Sequence, residues 1–524
     1  MKKIYIYLTL FFGSIFLGCA NFLNETPNKS SSASIYHMDQ LHGLMGNYTL
    51  YRSVYAWTEL LLRSDAIAFS PHYYINVNPP TSSYSMWAWE TEDLQLDGVT
   101  WTPSWNAIFT CNIVLENVDL VLQTTPEIRK QVEGEALFGR AYHHFNLLVQ
   151  FALWDENAPG IGYRTNTNPG EIPERKTVDY TLTKIYEDLD AAEAALIAAG
   201  RVHFELNRNF RPTLPTLKAL RARIDLYRGN YPSALENANA ALAGYDFLLD
   251  FKDEAIYQMV EQDINVLDDT DSYIVGTIKN RSLPGLGYAR WDEELSKYPE
   301  FYLPHGADPI AILSTIRPPQ LPVSESYYNL FDHENDERWK IFYNNNAVIF
   351  NTVFSRSVVL AGNTAPTPRC FIWADQQSLK EANRHVYARF GPAPSPYILG
   401  MTTAEMYLIR AECLARAGNT TEAAHTLRTL RRTRFTTTEA ANNIGGSIQE
   451  VLDERAREMT ELWRFFDIKR LNGAENANIR IKRTIMTNLA DVNSTQEIEI
   501  APNDPRWALP IRNQQLILMG WEQN

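Results

Sequence analysis

Two stretches of sequence decide the fold of this chain: residues 219–241, ALRARIDLYRGNYPSALENANAA, and residues 408–430, LIRAECLARAGNTTEAAHTLRTL. They share one spacing, in which a glycine follows one alanine by seven residues and precedes another by five: Ala222, Gly229 and Ala234 in the first, Ala411, Gly418 and Ala423 in the second. Small residues let two antiparallel helices approach closely, and glycine eases the turn between them. Each stretch is therefore predicted to be a tetratricopeptide-like hairpin, although any helical hairpin with a short turn could show this spacing.

Amphipathic segments elsewhere extend this helical pattern. Because one hairpin cannot bury its apolar face alone, further helices should stack against these two. The predicted fold is mostly α, with tetratricopeptide-like stacked helical hairpins forming a scaffold from residues 35–244 and 397–524. The segments with helical periodicity outside the hairpins are 105–122, 126–151, 182–197 and 448–469.

Two regions interrupt the helical periodicity. Residues 245–396 carry clusters of proline and glycine between short apolar runs, which predicts a loop-rich inserted lobe of loops, short strands and short helices. Residues 66–104 combine five prolines and glycines with many tyrosines and tryptophans, which predicts a long aromatic loop. Aromatic residues make up 12% of the chain, so they can fill a core or line a recognition surface.

The first residues resemble a bacterial lipoprotein signal. Lys2 and Lys3 precede a mostly apolar run at residues 4–17, and the small Gly18 stands before Cys19. The run is shorter than the roughly 20 residues that a spanning helix needs. We therefore expect a signal peptide over residues 1–18, lipidation of Cys19, a tether over 19–34 and an outer-membrane anchor that does not cross the bilayer. A cleaved signal peptide with an incidental cysteine is the alternative.

Composition narrows the classes of function. The formal net charge of -14 and the absence of Lys/Arg runs argue against nucleic-acid binding. If Cys19 is acylated, the three remaining cysteines are odd in number and widely spaced, which argues against a disulfide framework or a zinc site. The sequence has no His-Glu-x-x-His, phosphate loop or dinucleotide fingerprint, so we expect no metal and no cofactor. An aspartate group at residues 263–271 could hold calcium, but a solvated acidic loop explains it better.

Several phrases in order along the chain together resemble the SusD/RagB-like nutrient-uptake lipoproteins. The phrases are Cys-Ala-Asn-Phe-Leu at 19–23; Trp105, Phe109 and Asn112; Glu135, Arg140, Ala141 and Tyr142; Phe331, Asp336 and Arg338; the late series Glu454, Arg455, Glu458, Glu461, Arg464, Asp467 and Arg470; and Leu509, Pro510 and Ile511. They extend over essentially the whole chain after residue 18.

The resemblance implies a function and partners. A member of this family is expected to be a lipoprotein on the cell surface that binds a nutrient, most often a glycan, and delivers it to a TonB-dependent outer-membrane transporter of the SusC type. It implies a binding protein and not an enzyme, and its binding residues vary with the ligand. A peptide-binding member of the same uptake system is the first alternative. A secreted glycan-degrading enzyme and a helical adaptor that binds only protein are two others.

Two aromatic clusters are the candidate ligand-binding residues. Apolar sugar faces stack on exposed Trp and Tyr, while amide and guanidinium groups hydrogen-bond to hydroxyls. The first cluster comprises Tyr73, Tyr74, Asn76, Tyr84, Trp87 and Trp89, and the second comprises Tyr288, Arg290 and Trp291. Burial of these rings to pin a loop against the helical body is the alternative for the first cluster. Trp105 is expected to belong to the core.

The late charged series is predicted to be structural. Its acidic and basic residues stand three or four apart, so they line adjoining strips of one helix and can form an ion-paired network. Glu458 and Glu461 could instead form a glycosidase pair, which needs carboxylates about 5 to 9.5 Å apart across a cleft. Arginines so close would keep both carboxylates ionised, which suits ion pairing better than acid catalysis.

Overall fold

A computed structural model describes the chain over residues 37–51, 57–68, 81–90, 100–252, 258–267, 273–282, 301–306, 321–322, 324–344, 386–387, 398–459, 463–488, 491 and 493–523. Its helices are α1 (Met38–Met45), α2 (Trp57–Arg63), α3 (Thr81–Trp87), α4 (Thr102–Asn117), α5 (Pro126–Phe151), α6 (Val178–Ala198), α7 (Leu214–Arg228), α8 (Tyr231–Gly244), α9 (Glu325–Tyr328), α10 (Glu337–Phe342), α11 (Thr403–Arg416), α12 (Thr420–Arg431), α13 (Thr438–Asn442), α14 (Ile448–Glu458), α15 (Trp463–Glu475) and α16 (Asn513–Met519). Single-turn 3₁₀ helices occur at Tyr48–Tyr51, Leu206–Arg208 and Pro505–Trp507.

The strands in the described ranges form small antiparallel sheets. They are β1 (Gln258–Leu267), β2 (Tyr273–Ser282), β3 (Phe301–Gly306), β4 (Leu321–Pro322), β5 (Tyr343–Asn344), β6 (Val386–Tyr387), β7 (Ile398–Thr402), β8 (Ile481–Met486) and β9 (Thr495–Ile500). β1 pairs with β2, β3 with β7, and β8 with β9, while β6 lies between β4 and β5. The fold is mostly helical, as predicted. Placing the limits of the inserted lobe at residues 245 and 396 stays a prediction.

Helix α5 is the centre of the core. The Thr125 hydroxyl accepts a hydrogen bond from the Ile128 amide, and Pro126 occupies the first turn, so the sequence begins this helix sharply. Every residue from 134 to 151 is buried. Glycines permit close approach on two sides, because Gly139 faces Cys111 of α4 and Gly134 faces Leu196 of α6. The observed α5 coincides with the predicted segment 126–151.

Both predicted hairpins are confirmed. Helices α7 and α8 meet at Gly229, whose φ of 78° lies in the left-handed region, and α11 and α12 meet at Gly418, with φ 80°. The alanines that define the repeat are fully buried: Ala222, Ala234, Ala411 and Ala423. Helix α8 packs against α11, so the two hairpins form one continuous helical stack although some 160 residues separate them in sequence.

A third left-handed glycine gives a stability prediction. Gly446 has φ 79°, and a Cβ at this position would lie 2.2 Å from Thr420 O and 2.5 Å from the Ala424 amide. Gly446→Ala is therefore expected to lower the free energy of unfolding by about 3 kcal/mol, the sum of backbone strain and overpacking. Gly418→Ala is the matched control, because a Cβ there has no atom within 4 Å, and about 1 kcal/mol is expected. Urea unfolding measures both, and equal losses would contradict the steric argument.

The single helix predicted over 448–469 is wrong. The chain forms α14 and α15, and Met459 ends α14 with φ -111° and ψ 31°. The physical reason is visible in Arg455, whose guanidinium donates to Asp467 at 2.8 Å. Twelve residues along one helix would separate these groups by about 18 Å, so the helix must end for the pair to form. The sequence pattern showed the charged residues, but it could not show that Arg455 pairs with Asp467.

The prediction of an irregular loop over residues 66–104 is also wrong in its described parts. Helix α3 lies inside this stretch, and α4 begins at Thr102, before its end. Local hydrophobic periodicity is weak in α3, whose sequence TSSYSMW carries one threonine and three serines, and its buried rings come from tertiary packing. Residues 69–80 and 91–99 lie outside the described residues.

The buried C-terminal end of α5 is capped by distant groups. Lys469 donates to the carbonyls of Val149, at 2.9 Å, and Ala152. The amide of Leu509 donates to Gln150 O at 2.8 Å. The last carbonyls of a helix lack intrahelical donors and carry partial negative charge, so a buried ammonium is favourable there. Burial nevertheless lowers the pKa of Lys469 to about 7.

Candidate functional site

One cleft in the described residues lies where α2, α3, α9 and β8 meet. It encloses about 570 Å³. Its lining comes from four separate parts of the chain: Asp65, Ile67, Ala68, Trp87, Ser324, Ser326, Arg480, Ile481, Lys482, Arg483 and Thr484. Most of these side chains are polar, which suits a hydroxylated ligand more than an apolar one.

The segment after α2 forms one wall, and it is fixed from two sides. Ser324 donates its hydroxyl to Asp65 O at 2.6 Å and its amide to Ala66 O at 2.8 Å. Arg464 of α15 donates two hydrogen bonds to the Asp65 carboxylate, at 2.7 and 2.6 Å. The charge of Asp65 outweighs the effect of burial and raises the pKa of Arg464, so this guanidinium stays protonated. The wall is therefore pre-organised by helices far away in sequence.

Strand β8 forms a second wall of the cleft, and its residue Arg483 connects this wall to the one formed by the segment after α2. Its side chain is buried and donates to Ser64 O at 2.6 Å and to Trp87 O. The guanidinium carbon stands 5.1 Å from the centre of the Trp87 ring, within cation–π range. Burial, with a smaller contribution from the charge of Arg63, lowers the pKa of Arg483 to about 9, so it remains protonated at neutral pH.

The rim of the cleft presents hydroxyl and cationic donors. Lys482 and Thr484 point outward from β8, and Ser326 is exposed on α9. Arg480 and Lys482 both lie near Glu499 of β9, with Lys482 Nζ 3.5 Å from the carboxylate. Such a rim can hydrogen-bond to the hydroxyl groups of a ligand through several independent donors.

The cleft lacks the groups for hydrolysis within its described lining. Asp65 is the sole carboxylate among these residues, and its two oxygens are engaged by Arg464. A glycosidase needs a second carboxyl group at a defined separation and one of the two protonated.

Two family models match this chain, one in each half. The model described as "Starch-binding associating with outer membrane" matches residues 21–226, and the model described as "SusD family" matches residues 397–520. Together the two segments cover more than half of the chain. The chain belongs to the SusD/RagB-like family.

Solved structures of SusD-like proteins align with nearly the whole chain. A SusD superfamily protein from Bacteroides thetaiotaomicron aligns over 93% of this chain and 99% of its own, with a TM-score of 0.58 and 16% identity. Surface glycan-binding protein A from Bacteroides uniformis aligns over 91% and 97%, with a TM-score of 0.56 and 15% identity. A laminarin-binding SusD-like protein aligns over 94% and 99%, with a TM-score of 0.56 and 16% identity. At these identities the similarity establishes the shared fold, and no curated protein matches the chain.

Three of the predicted ligand-binding residues in this SusD-like chain are core residues. Tyr84, Trp87 and Trp89 are at most 3% exposed, so their rings are buried. The Tyr84 hydroxyl bonds to the backbone of Met486, and Trp89 packs edge-on against Trp507 with ring centres 4.9 Å apart. The alternative of buried rings that pin this segment to the helical body therefore holds for these three. Trp87 still contributes to the cleft wall.

The remaining predicted binding and lipidation residues lie outside the described residues: Cys19, Tyr73, Tyr74, Asn76, Tyr288, Arg290 and Trp291. Three of them, Tyr73, Tyr74 and Asn76, belong to residues 69–80, which in sequence connect Ala68, a lining residue of the cleft, to α3. Sequence reasoning missed the polar lining residues Asp65, Ser324, Lys482 and Thr484. No motif marks them, because they come together only through the packing of α15 and β8 against α2.

The late charged series forms buried ion pairs, but mostly with other helices. Arg338 of α10 is the centre, with guanidinium nitrogens 2.7 Å from both Asp336 and Glu454 and 2.8 Å from Glu458. The neighbouring arginines hold the pKa values of Glu454 and Glu458 below the usual range. Arg434 completes the coordination of Glu458 at 2.7 Å. Glu458 is thus an ionised structural group.

Only one predicted pair within a helix is seen among the described members of the series. Asp467 and Arg470 are 2.7 Å apart, as their spacing indicated. Arg470 also binds Glu412 of α11, whereas Arg464 binds Asp65. Glu461 lies outside the described residues.

The adjacent histidines of α5 are structural groups. Burial lowers the pKa of His143 and of His144 to about 3, so both rings are neutral. His144 donates from Nδ1 to Arg140 O at 2.8 Å, and its Nε2 accepts from the Arg164 amide at 3.0 Å. Within the described ranges, no group of three or more His, Cys, Asp and Glu residues could hold a metal ion. None of the helices in these ranges combines the length and hydropathy that a bilayer crossing requires.

Proposed function

We propose that this protein is a lipid-anchored outer-membrane receptor that binds a glycan and delivers it to a TonB-dependent transporter. The observation that carries the proposal is membership of the SusD/RagB-like family, through a model described as starch-binding and associated with the outer membrane. Two structural relatives are named for glycan or laminarin binding. The signal-like residues 1–18 and Cys19 supply the anchor in this proposal.

The cleft beside α2 is the proposed glycan-binding site. Its rim carries hydroxyl and ammonium groups, and sugar hydroxyls both donate and accept hydrogen bonds. Its walls are held by Arg464 and Arg483 from two distant elements, so little ordering is required when a ligand binds. The described lining contains one carboxylate, which supports a receptor and argues against a hydrolase.

Removing two rim side chains tests this site. Lys482→Ala combined with Thr484→Ala is expected to weaken glycan binding at least about tenfold, since each lost hydrogen bond to a ligand is worth around 1 kcal/mol or more. Thr495→Ala combined with Glu497→Ala is the matched control, because both side chains are exposed on the same hairpin and outside the cleft lining. Isothermal titration with the best ligand of a panel gives both dissociation constants. Equal affinity of the two double variants would place the glycan elsewhere.

Delivery is tested in cells. Affinity purification of the native protein from detergent-solubilised outer membranes should co-purify a TonB-dependent transporter, and a labelled glycan should enter the cells. Cys19→Ala is expected to abolish membrane retention and to reduce uptake, while the purified variant keeps its glycan affinity. If a peptide but no glycan competes for binding, the protein is instead a peptide receptor of the same uptake system.

A further inference from the structure

A surface loop between α4 and α5 exposes a group of apolar side chains. Leu120 is 71% exposed and Leu122 is 88% exposed, and Ile128 in the first turn of α5 is 40% exposed. Val121, between the two leucines, is buried. We call Leu120, Leu122 and Ile128 the leucine tip. Leaving so much apolar side-chain surface exposed to water is unfavourable, so the leucine tip calls for a partner.

The loop that carries the leucine tip is firmly held. Arg129 of α5 donates to Val121 O at 2.5 Å and to Val118 O, and its guanidinium lies 3.7 Å from Asp119. The Thr125 hydroxyl caps α5 immediately after the loop. The side chains are thus displayed on a fixed backbone, and little conformational entropy is lost when they become buried.

The leucine tip lies at the N-terminal end of α5, and the first described residues of the chain contact the half of α5 nearer to this end. Helix α1 runs beside α5, because Arg211 joins His42 to Glu135 at 3.3 and 3.0 Å, and Tyr51 faces Gly139 further along. His42 of α1 therefore lies against α5 nearer to the N-terminal end of that helix, at Pro126, than to its C-terminal end, at Phe151. Residues 20–36, which precede this point, span at most about 60 Å.

We infer that the leucine tip docks into the surface of the lipid bilayer to which Cys19 is anchored. This inference rests on the proposed lipid anchor. Three side chains cannot supply the roughly 1,200 Å² that a stable protein interface buries, whereas shallow insertion into the headgroup region needs only a few apolar groups. A tether of limited length makes the docking intramolecular, so weak insertion suffices. The charges nearest the tip are balanced, with Asp119 and Glu127 against Arg129 and Lys130, so the docking is apolar and independent of lipid charge.

A fluorescent probe tests the docking in the lipidated full chain. An NBD fluorophore is attached at Leu122→Cys, or at Ile517→Cys as the matched control, in a Cys370→Ser background, since Cys111 and Cys413 are buried. Ile517 is 80% exposed on α16, and the residues flanking α16 lie at the C-terminal end of α5, where Leu509 N donates to Gln150 O. Helix α5 is about 40 Å long, so this end is far from the leucine tip. The proteins are reconstituted into phosphatidylcholine vesicles, with and without nitroxide-labelled lipid.

The inference predicts strong quenching at position 122, little quenching at 517, and the same result when phosphatidylglycerol is added. Leu120→Ser should lower the ratio of docked to undocked protein by roughly tenfold. If the protein sediments with the vesicles but position 122 is no more quenched than 517, the docking is wrong while the anchor stands. If the protein does not sediment and Cys19 is unmodified, the anchor itself is wrong, and the docking with it. A photocrosslinker at 122 that captures a protein in cells, instead of lipid, would also overturn the inference.

Discussion

Replacing Arg338 with methionine is expected to lower the free energy of unfolding by about 3–5 kcal/mol, the range for breaking a buried ion pair by removing one partner. Arg338 is fully buried, and its guanidinium contacts three carboxylates, of Asp336, Glu454 and Glu458. Methionine keeps much of the volume but none of the charge. The loss therefore reports the carboxylates left without this cation and not a cavity.

Arg338→Met is also expected to loosen the wall of the cleft, because Arg338 holds the segment that borders the cleft against α14. The same segment is held to α14 by Tyr327, which donates to Ala456 O at 2.9 Å, and by Arg457, which donates to Leu330 O at 2.6 Å. Ser324, which supports the cleft wall, begins this segment.

Arg480→Met is the matched control for Arg338→Met. Arg480 also pairs with a glutamate, Glu499, but both side chains are more than one third exposed, and surface pairs contribute less than about 1 kcal/mol. Urea unfolding followed by circular dichroism, with the slope on denaturant compared between variants, gives both values. A loss for Arg338→Met as small as that for Arg480→Met would show that the buried network does not hold the scaffold.

The free energy of unfolding is expected to rise between pH 7 and pH 10, and Lys469→Met is expected to remove on the order of 4 kcal/mol of this rise. Burial lowers the pKa of Lys469 from 10.5 to about 7 in the folded chain. Between these two values the unfolded chain binds the proton and the folded chain does not. Since the unfolded state then holds more protons, stability increases with pH across this window and the burial penalty is greatest below pH 7.

The control for this pH dependence is an exposed lysine. Lys184 lies on the surface of α6 beside Glu187, so Lys184→Met should leave the slope of stability against pH unchanged. Chemical unfolding at a series of pH values between 6 and 10 measures the difference between each variant and the native chain. An identical rise in Lys469→Met and the native protein would show that Lys469 is not the group responsible.

The sequence predicted the parts of the fold that depend on local pattern. The Ala–Gly–Ala spacing identified both hairpins, because close helix contact and a left-handed turn each demand a particular residue type. The limits of α5 were equally readable from Thr125, Pro126 and the apolar pattern that follows. The break after α14 was not readable, because it depends on the pairing of Arg455 with Asp467 across that break.

The candidate site was less predictable for the same reason. Aromatic residues were a reasonable sequence signal, but nothing local distinguishes the buried Trp89 from an exposed ring. Asp65, Ser324 and Thr484 stand hundreds of residues apart, and they share a cleft through Arg464 and the β8–β9 hairpin. The late charged residues were correctly predicted to form structural ion pairs. Their partners, such as Asp65 and Glu412, are distant in sequence, so the three- and four-residue spacing of one helix could not identify them.

Affinity electrophoresis of the mature protein through gels containing a panel of neutral and acidic glycans tests the central claim most directly. The claim is that this SusD-like chain is a receptor that binds a glycan without cleaving it. The predicted result is retarded migration in at least one glycan, with the polysaccharide recovered at its original length and no new reducing ends. Unretarded migration across the panel, or release of reducing ends from a retarding glycan, would contradict the claim.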